Sequence, residues 1–339
     1  MCSHVSRRPG TVLAFVITVG VLWAWPNSPS AQQVEDAIVP ESAQLELLFD
    51  GGFFTEGPAV APDGSVYFSD ITFTANSGMQ AGHIWRYDPA SGRTTIFRSP
   101  SGMANGIIFD LEGRMVVAEG ADFGGRCVIR TDMTSGRSEI IAGLYNGRRL
   151  NSPNDLTIDE RGRIYFTDPR YVGHEPIDQP VMGIYRIDPD GSVSLIITDA
   201  GTPNGILVSP DQRTLYVASV SPPNRFGLHA LLAYGLAEDG SISSRRVVVD
   251  FAPDAGPDGM AMDVDGNLYL ARPAEVPGIY IYSPEGRELG RIPTPKSPTN
   301  VAFGRGSTSK TLYITAATDL YKIELNRKGY HAAMSRALP

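Results

Sequence analysis

The 339 residues include only two cysteines, Cys2 and Cys127, and the first falls in a segment that reads as an export signal. No internal disulfide is then available to the mature chain, and its stability has to come from packing. Cys127 stands between Arg126 and an apolar run, the setting of a buried structural thiol rather than a nucleophile. Clusters of Lys and Arg are also lacking, and the net charge is −8. That balance removes the electrostatic footprint needed for a phosphate backbone or an anionic membrane, so no nucleic acid is expected as a partner, and no membrane beyond the export signal. Helical periodicity is nearly absent, which leaves strands to build the fold.

The first residues differ from the rest. Arg7 and Arg8 precede an apolar run over 11–25, followed by the small residues Ser28, Ser30 and Ala31. This is the layout of a signal peptide over 1–31, and the run is shorter than the roughly 18 apolar residues of a spanning helix. The expected location is periplasmic or extracellular. The paired arginines also suggest a twin-arginine route, but Pro9 and Gly10 follow them, and ordinary export is the preferred reading.

Beyond the signal, one phrase recurs six times: an oxygen-bearing residue, a small or apolar stretch, a turn, then an alternating strand. The copies open at Glu56, Asn105, Asn154, Asn204, Asp258 and Asn300, with separations of 49, 49, 50, 54 and 42 residues. A period near fifty is that of a propeller blade, with four antiparallel strands in each. The chain is therefore expected to be an all-β, six-bladed β-propeller over 42–325. The last copy has room for three strands only, and residues 45–49 alternate like an outer strand, so the N-terminal strand is expected to close the ring. Residues 326–339 remain as a polar tail without an assigned role.

The first strand of each propeller blade lines the central channel, so the six opening residues come to one end of it. Asn-Gly and Asp-Gly pairs also serve tight backbone geometry, which accounts for some copies but poorly for Glu56 and Asn300. Two carboxylates with several amide oxygens, and neither Cys nor His at these positions, suit a hard divalent cation. Calcium suits best, then manganese or magnesium, and zinc least because it favours nitrogen and sulfur.

The phrases Glu56-Gly57-Pro58, Asn151-Ser152-Pro153-Asn154-Asp155, Tyr165-Phe166-Thr167-Asp168-Pro169, Pro203-Asn204-Gly205 and Pro257-Asp258-Gly259-Met260 resemble, over nearly the whole mature chain, the senescence marker protein, gluconolactonase and luciferin-regenerating enzyme family. A wider likeness extends to the diisopropyl fluorophosphatase-like propellers. The resemblance implies a calcium held by Glu56, Asn154, Asn204 and Asp258, with Asn105 beside it facing substrate and Asp258 as general base or nucleophile. It implies a metal-dependent hydrolase, a lactonase acting on a sugar-type lactone or related ester. Organophosphate or sugar-derivative hydrolysis on the same metal, or a non-enzymatic binding propeller with a structural metal, are the other readings. Thr315-Ala316-Ala317 stands where the fluorophosphatase group has a histidine, which argues against phosphatase chemistry. Ser152 replaces an arginine of the animal gluconolactonases, with Arg149 close by.

Substrate choice is expected from loops leaving the second strand of each blade. The loop over 168–182 carries Arg170, Tyr171, His174, Glu175 and Asp178, a cluster that suits a polyhydroxylated ring and equally a solvated loop. The substrate-side candidates are thus Asn105, Asn300, Arg149, His174 and Tyr171, with His229 as a second histidine near the mouth and His83 in an outer strand.

Overall fold

The computed structural model describes Met1, residues 37–74, Gly78, residues 81–221 and residues 227–332. The expected signal peptide, apart from Met1, and the residues 75–77, 79–80, 222–226 and 333–339 lie outside the described residues. Six four-stranded antiparallel sheets form a six-bladed β-propeller. The inner strands of the blades are Thr55–Val60, Ala104–Phe109, Leu156–Ile158, Pro203–Val208, Met260–Met262 and Pro298–Phe303. The repeat read from the sequence thus falls one copy per blade. In the last blade the outermost strand is Glu46–Phe49, paired antiparallel with Asp319–Glu324, so the two ends of the chain close the ring.

Alternation along each strand has a consequence particular to this geometry. Successive side chains point to opposite faces, and each face of a blade meets a different neighbour. Tyr67 therefore joins Phe109 and Val117 at the junction of the first two blades. Val66 and Phe68, on either side of it, join Tyr313 and Leu320 of the last blade. The apolar interior is accordingly six separate clusters, one at each junction, rather than a single core. Cys127 is buried in one of them with its thiol 3.5 Å from a Glu119 carboxylate oxygen, and burial and that carboxylate push its pKa up to about 12. It is the inert structural thiol expected.

Residues 326–332 lie under the ring. Backbone bonds join Asn326 to Ile38, Gly329 to Ser309 and Tyr330 to Met262. The Tyr330 hydroxyl donates to Glu160 (3.1 Å) and accepts from Gln212 (2.8 Å). This segment therefore ties four blades together at the end of the channel remote from the opening residues.

The closing strand carries Phe49, whose ring sits 5.5 Å from Phe68 and 4.9 Å from Trp85. Deleting residues 1–50 removes this packing and exposes the outer edge of Asp319–Glu324. The shortened protein is expected to lose about 3 kcal/mol or more of unfolding free energy, measured by urea denaturation against the chain from Gln32.

Candidate metal centre

The inner strands are irregular where the opening residues stand. Pairing with the second strand shifts between Glu56 and Ala59, Ala104 and Ile107, Pro203 and Ile206, and Pro298 and Asn300. In the third and fifth blades regular pairing begins only after Asn154 and Asp258. A bulge re-aims a side chain, and here it turns successive oxygen-bearing residues onto the channel axis.

Backbone contacts between blades hold the bulges. The Gly106 amide donates to the Asn154 carbonyl (2.7 Å) and the Gly259 amide to Thr299 (2.8 Å). At these two positions glycine is required by close approach: a Cβ would stand 2.7 Å from the Asp155 carboxylate in one case and 1.9 Å from the Asn300 side chain in the other. Hydroxyls of the second strands complete the lock, Ser69 donating to the Asn105 carbonyl (2.7 Å) and Thr167 to the Asn204 carbonyl (2.9 Å). Asp168 accepts from the Asn151 and Ser152 amides (2.8 and 2.7 Å), and Asp70 from Phe53 and Phe54 (2.8 and 2.9 Å), fixing the segments that lead into Asn154 and Glu56.

Glu56, Asn105, Asn154, Asn204 and Asp258 line one cavity of about 240 Å³ at the channel mouth, together with Tyr171. Glu56 is buried, and its Oε2 accepts from the Gly57 amide (2.8 Å) and the Asn300 amide group (3.2 Å). Asp258 keeps partial access to the mouth. The Tyr171 hydroxyl lies 3.2 Å from the Thr202 carbonyl and 3.4 Å from that of Pro203, immediately before Asn204.

Three of the substrate-side candidates are elsewhere. Asn300 lies below the mouth, in a lower compartment with Asp155, and its amide group serves Glu56 and Asp155. Arg149 is exposed and donates to the Gly125 carbonyl (2.7 Å). His174 stands on the rim against Phe123, with ring centres 4.5 Å apart. His229 and His83 do not line the mouth either; His83 pairs with Ser99. The charged cluster of the 168–182 loop is engaged in holding that loop. Arg170 donates to the carbonyls of Glu175 and Asn151 (both 2.7 Å), Arg126 pairs with Asp178 (2.9 Å), and Glu175 accepts from the Asp122 and Phe123 amides.

Asp155 is the residue that sequence reasoning passed over. Glycine follows the opening residue in four of the copies, at 57, 106, 205 and 259, whereas the third has an aspartate there, and that departure was the available signal. Its carboxylate is buried, accepts from the Leu156 amide (2.9 Å), and lies close enough to raise the pKa of both Glu56 and Asp258. Burial, then mutual repulsion, holds Glu56 well above the usual range and pushes Asp258 up to about 7; burial alone pushes Asp155 up to about 7. Among the described residues no Lys or Arg offsets these three charges. Among the described residues no group of three or more His, Cys, Asp or Glu is arranged to hold a metal, so a cation here would depend on amide oxygens beside the carboxylates.

Fold and site together define a six-bladed β-propeller with carboxylates and amide oxygens gathered at its channel mouth. Residues 54–318 match the family described as SMP-30/gluconolactonase/LRE-like region, and the chain belongs to that family. It is 31% identical to a gluconolactonase of Zymomonas mobilis, over 87% of this chain and 85% of that protein. A pentonolactonase of Haloferax volcanii is 29% identical over 77% of this chain and 81% of its own length. The solved structure of a gluconolactonase from Xanthomonas campestris superposes with a TM-score of 0.73 at 28% identity, covering 87% of this chain and 92% of that one.

The pKa pattern fixes the sign of a stability effect. In the metal-free fold Asp155 and Asp258 hold protons up to about pH 7, whereas the unfolded chain releases them near about 3.9. The fold thus binds more protons than the unfolded chain between these values, and its stability falls as pH rises. Surface aspartates with lowered pKa, such as Asp88 and Asp132, titrate below this window. In chelator, the midpoint of thermal unfolding is expected to be lower at about pH 8 than at about pH 5.5. Asp155→Asn, which keeps the acceptor for Leu156, should flatten that difference.

Proposed function

We propose that the protein is a calcium-dependent lactonase, exported from the cytoplasm, with Glu56, Asn154, Asn204 and Asp258 holding the ion. The observation that carries this reading is the uncompensated charge at the channel mouth: buried carboxylates that repel one another, with amide oxygens beside them and no cationic side chain. Such a donor set fits calcium, which accepts several oxygens in a loose geometry. The lactonase names of the relatives supply the reaction class.

When bound, the ion would supply Lewis-acid polarisation of the lactone carbonyl. The remaining roles fall to this chain's own side chains. Asp258 reaches the mouth, and its carboxylate is the group placed to take a proton from the attacking water. Glu56, more deeply buried, would serve as a ligand throughout. Asn105, on the mouth wall beside them, is placed to orient the substrate carbonyl. Ring opening then yields the hydroxy acid, with the proton passing to the leaving alkoxide oxygen.

Chelation is expected to abolish lactone hydrolysis by the chain from Gln32, and added calcium to restore it. Asp258→Ala should lower kcat/KM by about 10³-fold or more. Glu56→Gln should weaken calcium binding, read directly by calorimetry. Retained turnover in chelator, or full activity in Asp258→Ala, would defeat the proposal.

A further inference from the structure

The walls above the metal ring differ from what a sugar lactone requires. The cavity is faced by Phe54, Ile71, Phe73, Met103, Val172 and Val220, contributed by the segment entering the first inner strand, the turn before the second and loops after second strands. Phe54 and Phe73 meet edge to face, with ring centres 5.2 Å apart, and form one side. Among the described residues lining this cavity there is no Lys, Arg or His, and the only charged groups are Glu56 and Asp258.

Apart from the amide groups of Asn105, Asn154 and Asn204 in the ring itself, the uncharged polar side chains of this wall are Ser152 and Tyr171, and both are engaged. The Ser152 hydroxyl accepts from the Ala121 amide (2.9 Å), and the Tyr171 hydroxyl is directed to the carbonyls of Thr202 and Pro203. Arg149 and the Arg170, Glu175 and Asp178 cluster, which the sequence offered to a polyhydroxylated ring, are spent on holding loops. Each hydroxyl of an aldonolactone taken out of water here would need a partner, the described wall above the ring amides supplies few, and every unmatched one costs binding. An anionic substituent would meet the field of the carboxylates with no guanidinium among the described lining residues to receive it. Apolar surface, by contrast, gains from burial against this wall. The rim continues the same character, since Val172 and Phe123 are 36% and 50% exposed.

We propose that the substrates are lactones bearing an uncharged apolar substituent, alkyl or aryl, rather than the polyhydroxylated sugar lactones. The inference rests on the lactonase reading: the ring carbonyl sits over the channel ligands, and the substituent lies between the Phe54–Phe73 pair and Val172.

The test compares kcat/KM of the calcium-loaded chain for δ-decanolactone, unsubstituted δ-valerolactone and glucono-δ-lactone. The alkyl lactone is expected to exceed each of the others by about 100-fold, the effect of burying roughly three methylene groups. In Val172→Ser and Phe54→Ser the ratio of δ-decanolactone to δ-valerolactone should fall about tenfold, a change in selectivity that mere loss of folded protein does not produce. Val172 is the more exposed of the two and the safer substitution for folding. Preference for glucono-δ-lactone would overturn the inference and leave the lactonase reading standing. Should no lactone be turned over, the lactonase reading fails, and binding of two lactams by calorimetry decides the mouth. Tighter binding of a pentyl-substituted δ-lactam than of a polyhydroxylated one supports the apolar site, and equal or reversed affinities refute it.

Discussion

Three carboxylates crowd the axis of this propeller, among the described residues no Lys or Arg pairs with them, and much of the inner architecture serves to keep them there. Burial raises the cost of ionising Glu56, Asp155 and Asp258, and repulsion from neighbouring carboxylates adds to it at Glu56 and Asp258. A fold that had only to be stable would replace them with apolar groups. Their retention makes sense if a divalent cation supplies the missing positive charge, and it sets the demands on the surroundings. Glu56 and Asp258 must sit at one height in the channel, and Asp155 just beneath.

That height is set by backbone contacts between blades. The bulges at the starts of the inner strands would relax if neighbouring blades could separate, but Gly106 and Gly259 allow an approach that a Cβ would block, and Ser69 and Thr167 bind the carbonyls of the next blade's ring residues. Pairs in the sequence such as Asn105-Gly106 and Asp258-Gly259 thus combine two jobs. The polar residue faces the channel while its glycine lets the strands meet. Tight geometry and ligand presentation are parts of the same feature, so reading one did not have to exclude the other.

The architecture was legible because it is periodic. A fifty-residue repeat, alternating strands and an incomplete last copy dictate six blades and a closing N-terminal strand, and the residue opening each copy is drawn toward the axis by its place in the repeat. What periodicity does not encode is depth. Asn300 opens its copy as Asn204 does, yet its side chain lies below the mouth and supports Glu56 and Asp155. Asp155 escaped notice because it occupies a position that other blades give to glycine. Loop side chains were harder still: Arg170, Glu175 and Asp178 have the composition of a sugar-binding cluster, and only tertiary contacts show that carbonyls, amides and Arg126 already engage them. Residues 326–332 carry no repeat at all, so nothing in their sequence indicated that they would brace the far end of the channel.

The ring and the mouth wall are built on different parts of each blade, and this separates the chemistry from the choice of substrate. The ring residues stand at the beginnings of inner strands, held by contacts that leave little tolerance for change. Ile71, Val172 and Val220 lie where the chain leaves second strands, with Phe73 in a surface turn beyond Ile71. Substitution there alters the mouth wall, and the bonds described above that fix Glu56 and its neighbours run through other groups. The polarity of the wall, which can change while the ring stays in place, is therefore the feature on which the proposed substrate preference of this chain rests.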